Sequence, residues 1–445
     1  MSTKKAQNQP KHLKSPMRYL MLFITALTVS CAQSVQKTLN DTKLTEELDS
    51  LIEVQDFFQL KKRYYSQKNN LNQENSLYYE AIILNRFNDL EASNSKIAEL
   101  LNLETLHLND TMFNRIYDTK LLNHVNLYQY KAAAATSAHI LKNYRLVNDS
   151  AKIENLENEL KIWTSLANIG PQEIIKSEDA TIPMTKDKVG LFNIDVSISN
   201  KTYNYIFDTG ANISVIKRSL VEELGLTYIE SDFYVTAFTG EKVDSDLAIA
   251  KELNIGNLTF KNVVFLVLND EDISFPQIEY FINGIIGFPV IEAMEEVRIS
   301  KDNSIFTPKT AIDYKQNNFA LDGLTPIIAV KYQNDTLSFG FDTGAKSTSL
   351  YAPFYRKYKE EIELHYTAQT FTSGSAGGII EFEGYVMDSI PLSIGNSKTT
   401  LSSLQLHKND IEADVDHFYG NLGQDFIKQF DEMIISFKYS SVIFK

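Results

Sequence analysis

No glycine occurs before Gly170; all 18 glycines of this 445-residue chain lie from there onward. Proline is also missing between Pro16 and Pro171. Both residues break helices and shape turns. Their absence leaves the amino-terminal part free to be helical and sets a boundary at Gly170 and Pro171. Cysteine is nearly absent too: Cys31 stands alone, which excludes an internal disulfide and leaves stability to packing. Basic charge is in deficit. A net charge of -14 argues against a nucleic-acid or anionic-lipid surface as partner of the protein body. No long low-complexity tract is present. The composition, 43% hydrophobic and 22% charged, is that of a globular chain long enough for two or three domains.

The first 30 residues depart from the acidic average, with Lys4, Lys5, Lys11, Lys14 and Arg18 and no acid. The apolar run from Tyr19 to Val29 is too short to span a bilayer as a stable helix and has the length of a signal-peptide core. Thr28, Val29, Ser30 and Cys31 resemble the lipobox of bacterial lipoproteins, with Thr28 where leucine is usual. The resemblance implies a signal peptide over 1–31, cleavage before Cys31 and a lipid anchor on that cysteine. It also implies a place in the bacterial cell envelope, on the periplasmic or the outer side. An ordinary secretory signal with an incidental cysteine is the alternative. Met17 is an alternative start to Met1.

Residues 39–169 read as helices, with apolar residues at three- and four-residue spacing in segments such as LYYEAIILNRFNDLEASNSKIAELL. Asn109 and Asp149 fit helix starts, their side chains accepting from unpaired backbone N–H groups. Paired helices with aromatic and small residues weakly resemble tetratricopeptide-type repeats; an irregular helical domain is the alternative. His107, His124 and His139 lack metal-ligand spacing and read as structural.

From about Ala180 the pattern turns to β, with alternating or continuous apolar runs rich in β-branched and aromatic residues. Within it the chain repeats itself. IDVSISNKTYNYIFDTGA from Ile194 and IAVKYQNDTLSFGFDTGA from Ile328 align without a gap at an offset of 134, identical at nine of eighteen positions. Downstream, GIIGFPVI from Gly284 pairs with GNLGQDFI from Gly420, and VRIS with MIIS. The β region therefore divides into lobes over 180–305 and 320–445. One acid per copy, Asp208 and Asp342, sits in each strand-like run. Two acids brought together across a pseudo-twofold axis cannot both ionise cheaply and share one proton. The ionised member can activate a water while the protonated member donates to a carbonyl.

Asp-Thr-Gly after an apolar strand, followed later by two apolar residues and glycine, resembles the aspartic peptidases. Alanine in fourth place resembles the retropepsin-like members. The resemblance covers the chain from Ala180 to its end. It implies a two-lobed all-β acid-protease fold behind the helical domain, and an endopeptidase with Asp208 and Asp342 as its catalytic pair. It implies that Thr209 and Thr343 cross-brace the loops. Gly210 and Gly344 would let the backbone turn, so that N–H groups point at the carboxylates. Ala211 and Ala345 complete the loops. Ile285, Ile286 and Gly287, with Asn421, Leu422 and Gly423, would pack beneath them; Asn421 departs from the pattern, since an apolar residue is expected there. Flaps are expected around Phe238, Thr239 and Gly240, and around Phe371, Thr372, Ser373 and Gly374. Tyr234 lies close to the first. The implied partners are a peptide or protein substrate, a protein at the helical domain and a membrane through Cys31. No nucleic acid, cofactor or metal is implied, and the catalytic unit is monomeric. Because Ala211 and Ala345 offer no hydroxyl to the carboxylates, activity is expected at mildly acidic pH. A non-catalytic peptide-binding lipoprotein, or an envelope scaffold with vestigial lobes, is the alternative.

Overall fold

The computed structural model describes residues 41–236, 242–375, 378–410 and 417–445. Cys31 with its apolar run, and Phe238, Thr239 and Gly240 of the first candidate flap, lie outside them.

Among the described residues, the glycine-free segment forms seven α-helices: α1 (Thr42–Glu53), α2 (Phe57–Gln67), α3 (Gln73–Arg86), α4 (Leu90–Leu101), α5 (Asp110–Asn126), α6 (Tyr130–Asn143) and α7 (Ser150–Ser165). Asp41, Asn72, Asn109 and Asp149 cap α1, α3, α5 and α7 by accepting from backbone N–H groups of their first turns. The first six helices form three hairpins. Each turns on a non-glycine residue at positive φ: Gln55 (53°), Asn88 (61°) and Tyr128 (55°). No glycine or proline marks these breaks, so in sequence the apolar period runs through them. The three histidines make local contacts: His107 with Glu74, His124 with Gln129 and His139 with Asn143.

The rest is a β-rich body of two lobes. The first lobe's sheet begins before Ala180, because the strand Glu173–Ile175 pairs with Leu258–Leu268. Each lobe carries the same three-stranded core. In the first, Lys201–Phe207 runs parallel to Gly284–Ile286, which pairs antiparallel with Ser214–Lys217. In the second, Asp335–Phe341, Gly420–Leu422 and Ser349–Leu350 do the same.

The lobes are joined by one antiparallel ladder between Glu296–Ser300 and Glu432–Ser436. Its register pairs Arg298 with Ile434, its own counterpart in the duplication, and Val297 and Ile299 with Ile435 and Met433. A pseudo-twofold axis therefore passes through the Arg298–Ile434 pair and relates the two repeats. One apolar cluster runs through both lobes. Two others join helices to lobes: Phe57, Tyr79 and Ile83 pack with Ala320, Ile327, Tyr351 and Phe418, and Tyr130, Leu156 and Trp163 with Phe233, Leu247 and Val264.

Candidate active site

Tyr205, Ile206 and Phe207 are buried at the end of one strand, as are Phe339 and Phe341 at the end of its counterpart. These apolar residues anchor the strands in the core, so that Asp208 and Asp342 emerge at their ends. The Asp208 N–H donates to the Ile286 carbonyl (3.0 Å) and the Asp342 N–H to that of Leu422 (3.1 Å). Each loop is thereby tied to the glycine-containing strand beneath it.

The two loops then grip each other. Thr209 N–H donates to Thr343 Oγ1 and Thr343 N–H to Thr209 Oγ1, both at 3.0 Å. Each hydroxyl donates in turn across the axis, Thr209 to the Phe341 carbonyl (3.1 Å) and Thr343 to that of Phe207 (2.9 Å). Both threonines are wholly buried. Four bonds at a buried site hold the loops at a fixed distance, because breaking any of them strands a buried polar group.

Gly210 and Gly344 have a second reason besides the one expected of them, their N–H groups acting on the Asp208 carboxyl. Neither has positive φ. A Cβ on Gly210 would lie 2.7 Å from Cγ of Asp342, and one on Gly344 2.3 Å from Cγ of Asp208. Each glycine lies in a turn and also makes room for the other lobe's carboxylate. The Gly210 N–H donates to Asp208 Oδ1 (2.7 Å), but in the second loop it is Ala345 N–H that donates to Asp342 Oδ1 (2.9 Å). The two carboxyl groups are brought close enough to act on each other, each lying against the glycine of the opposite loop. Burial first, then the charge of Asp342 and the bond to it, push the Asp208 carboxyl well above the usual carboxylate range. The N–H groups of Gly210 and Gly344 act in the opposite direction.

The carbonyls of Ala211 and Ala345 accept from Phe288 N–H (2.8 Å) and Gln424 N–H (2.9 Å). Beneath the loops, Gly287 N–H donates to Ser214 Oγ (3.0 Å) and Gly423 N–H to Thr348 Oγ1 (3.1 Å). The sequence reading missed this hydroxyl pair. Its signal was present, since Ser214 and Thr348 share the offset of 134.

Asn421 needs a correction. It does not replace an apolar residue passively at a loop edge: its Nδ2 donates to Asp342 Oδ2 at 3.1 Å.

The second candidate flap is a hairpin of Gln369–Ser375 with Gly378–Met387, which carries Phe371, Thr372, Ser373 and Gly374 on its first strand. Phe371 stacks on Phe382 (5.4 Å between centroids), Phe382 on His407 (3.8 Å), and His407 meets Tyr351 edge-on (5.5 Å). Burial, and then the charge of Asp342, push the Tyr351 phenol up, so this aromatic stack leads from the hairpin toward the acid pair. Tyr234 is turned to the helices, its hydroxyl donating to Glu154 Oε1 (2.8 Å).

A family model described as aspartyl protease matches residues 194–290. No curated protein matches the chain. The matched segment is the first repeat, which is thus an aspartyl protease-like domain. The second repeat has Gly340 and Asn421 where the first has Ile206 and Ile285.

Proposed function

We propose that the chain is an aspartic endopeptidase in which Asp208 and Asp342 share one proton and activate one water. The observation that carries this reading is the meeting of two carboxyl groups, one from each repeat and each against the other loop's glycine, held there by the reciprocal threonine bonds. The ionised member takes a proton from water. The water oxygen attacks the peptide carbonyl carbon, and the protonated member gives its proton to the carbonyl oxygen. The pair is rigid before substrate arrives, so little reorganisation is needed during the reaction. The hairpin of residues 369–387 is the flap that closes over an extended peptide. Cys31 carries a lipid that holds the enzyme in the bacterial envelope, and the helical domain, of tetratricopeptide-like character, offers a surface to a protein partner.

The test is incubation of the chain with a diverse peptide mixture, cleavage sites being read by mass spectrometry and Asp342→Asn serving as control. Cleavage that the variant lacks supports the peptidase. Absence of cleavage at every pH from strongly acidic to neutral leaves a peptide-binding protein instead. The pH profile adds a second check. Activity needs one proton on the pair, so it is lost as pH rises through the upper ionisation and as it falls through the lower one. With Asp208 raised and no hydroxyl from Ala211 or Ala345, the optimum is mildly acidic. A maximum at about pH 2, in the range of the lower ionisation of a pepsin-type pair, overturns that expectation.

A further inference from the structure

The twofold arrangement of the acid pair is broken at one place. Beside Asp208 the strand pair contributes Ile206 and Ile285, which lie directly opposite in the parallel ladder. Beside Asp342 the equivalent positions, also directly opposite, are Gly340 and Asn421. The two exchanges depend on each other. A Cβ on Gly340 would lie 2.7 Å from Oδ1 of Asn421, so the isoleucine of the first lobe would displace the amide. Removing one side chain made space for a donor, and that donor points at a carboxylate: Asn421 Nδ2 lies 3.1 Å from Asp342 Oδ2. Chemistry fixes the amide's orientation, because Oδ1 has no hydrogen to offer a carboxylate and would be repelled by it.

We propose that Asn421 is a positioning residue that assigns the two roles, making Asp342 the ionised member and Asp208 the carrier of the shared proton. This rests on the aspartic-peptidase reading for its meaning in catalysis, though not for its geometry. Asp342 receives one donor on each oxygen, Ala345 N–H on Oδ1 and Asn421 on Oδ2. Backbone N–H groups serve Asp208 as well, Gly210 donating to its Oδ1 at 2.7 Å with Gly344 also acting on it, so the backbone by itself does not favour Asp342. The Asn421 amide is the donor whose first-lobe counterpart, Ile285, cannot donate. A hydrogen bond that exists only to the charged form favours that form. The titratable groups facing Asp342 are Asp208 across the axis and the buried Tyr351 phenol, which burial keeps neutral. The Asn421 amide also supplies on one side the outer-oxygen hydrogen bond that the alanine side chains of both loops lack.

The reaction then has a fixed direction. Asp342 accepts the proton of the attacking water, and Asp208 hands its proton to the carbonyl oxygen, giving a neutral diol. In collapse the C–N bond breaks, the proton on Asp342 passes to the leaving nitrogen, and one diol hydroxyl returns its proton to Asp208. The pair ends as it began.

Two variants of the full chain test this. Asn421→Leu removes the donor at similar volume. The double variant Gly340→Ile/Asn421→Ile installs the first lobe's own packing pair, which guards against a result due to misfolding. The first readout is carbon NMR of the chain labelled at the aspartate carboxyl carbons, with the two signals assigned through Asp208→Asn and Asp342→Asn. The Asp342 signal should move in the more acidic step of the pair. In both variants that step should rise by about one pH unit, the size expected when one hydrogen bond to a charge is lost. The second readout is cleavage: the acid limb of kcat/KM should rise by the same amount, lowering the rate on that limb about tenfold per unit. An Asp208 signal that ionises first, or an acidic step unmoved in both variants, overturns the assignment. NMR needs no turnover, so a chain that cleaves nothing refutes the peptidase and still decides what Asn421 does.

Discussion

At Gly344 a single added methyl would overlap the carboxyl carbon of Asp208 at 2.3 Å. Backbone held by the buried threonine bonds cannot retreat, so the acid must. Gly344→Ala is therefore expected to push the pair apart and lower kcat/KM by at least about 100-fold, the usual effect of a misplacement near 1 Å. Circular dichroism should show the fold retained; unchanged activity would refute the close approach. His407 makes a second prediction at this scale. It is buried, stacked on Phe382 and edge-on to Tyr351, and its Nδ1 meets no partner among the described residues. Burial pushes the imidazole down to about 4. The unfolded chain takes up this proton as pH falls through about 6.5, while the folded chain resists it until about 4. Stability is thus full above the upper value and declines across the window to the lower one, by on the order of 3 kcal/mol. His407→Leu should flatten the fall in Tm between pH 7 and pH 4.5, two arbitrary points spanning about that window. An equal fall in both proteins would show that the ring does not titrate as its setting requires.

Elements were legible where chemistry is local in sequence. The strand and Asp-Thr-Gly of each copy stand out because an offset of 134 aligns them, the later glycines follow at an offset of 136, and the alternating apolar pattern marks the strands leading in. The Asn421 contact was not legible, because 79 residues separate it from Asp342 and its space is vacated by Gly340 on a neighbouring strand. The helix breaks at Gln55, Asn88 and Tyr128 were hidden for a related reason, since Gln55 and Tyr128 are not residue types that mark positive φ, and Asn88, which tolerates it, has no glycine or proline beside it. The strand Thr227–Thr236 shows how far a hairpin's neighbours can lie from it in sequence. Asn158 on α7 pairs with its edge, donating to the Tyr234 carbonyl (2.8 Å) and accepting from Tyr234 N–H (3.1 Å). Lys161 Nζ donates to the Asp232 carbonyl at 2.8 Å. The side-chain amide of Asn158 acts as one more residue of sheet. Asn158→Ala should free the Tyr234 amide to exchange faster, and lower stability by about 1–2 kcal/mol for two bonds lost at a partly buried edge. Unchanged hydrogen exchange at Tyr234 would mean that the helix does not restrain this strand.

Across the whole molecule, the boundary at Gly170 is real as a change of secondary structure and misleading as a boundary of stability. Composition could show the first, because glycine and proline follow local backbone needs. It could not show the second, because which apolar faces meet depends on tertiary contacts. Ala320 and Ile327, from the hairpin that leads into the second acid's strand, share an apolar cluster with α2 and α3, and Tyr351 and Phe418 join them. Phe233, Leu247 and Val264 of the first lobe are covered by α6 and α7. Polar ties reinforce both contacts: Arg86 pairs with Asp322, Asn88 Nδ2 donates to Glu292 (2.9 Å), and Tyr128 donates to the Pro289 carbonyl (3.0 Å). A lobe stripped of the helices would expose these apolar surfaces and leave such groups without partners. The helices and lobes are therefore expected to unfold together. Calorimetry of the full chain should give one transition whose calorimetric and van't Hoff enthalpies agree, and a chain starting at Gly170 should be markedly less stable or insoluble. Two separate transitions, or a truncated chain that keeps the Tm of the whole, would show that the helical segment is an attachment to an independent body. In that case the contacts at Tyr351, whose phenol feels the charge of Asp342, carry no stabilising energy to the acid pair.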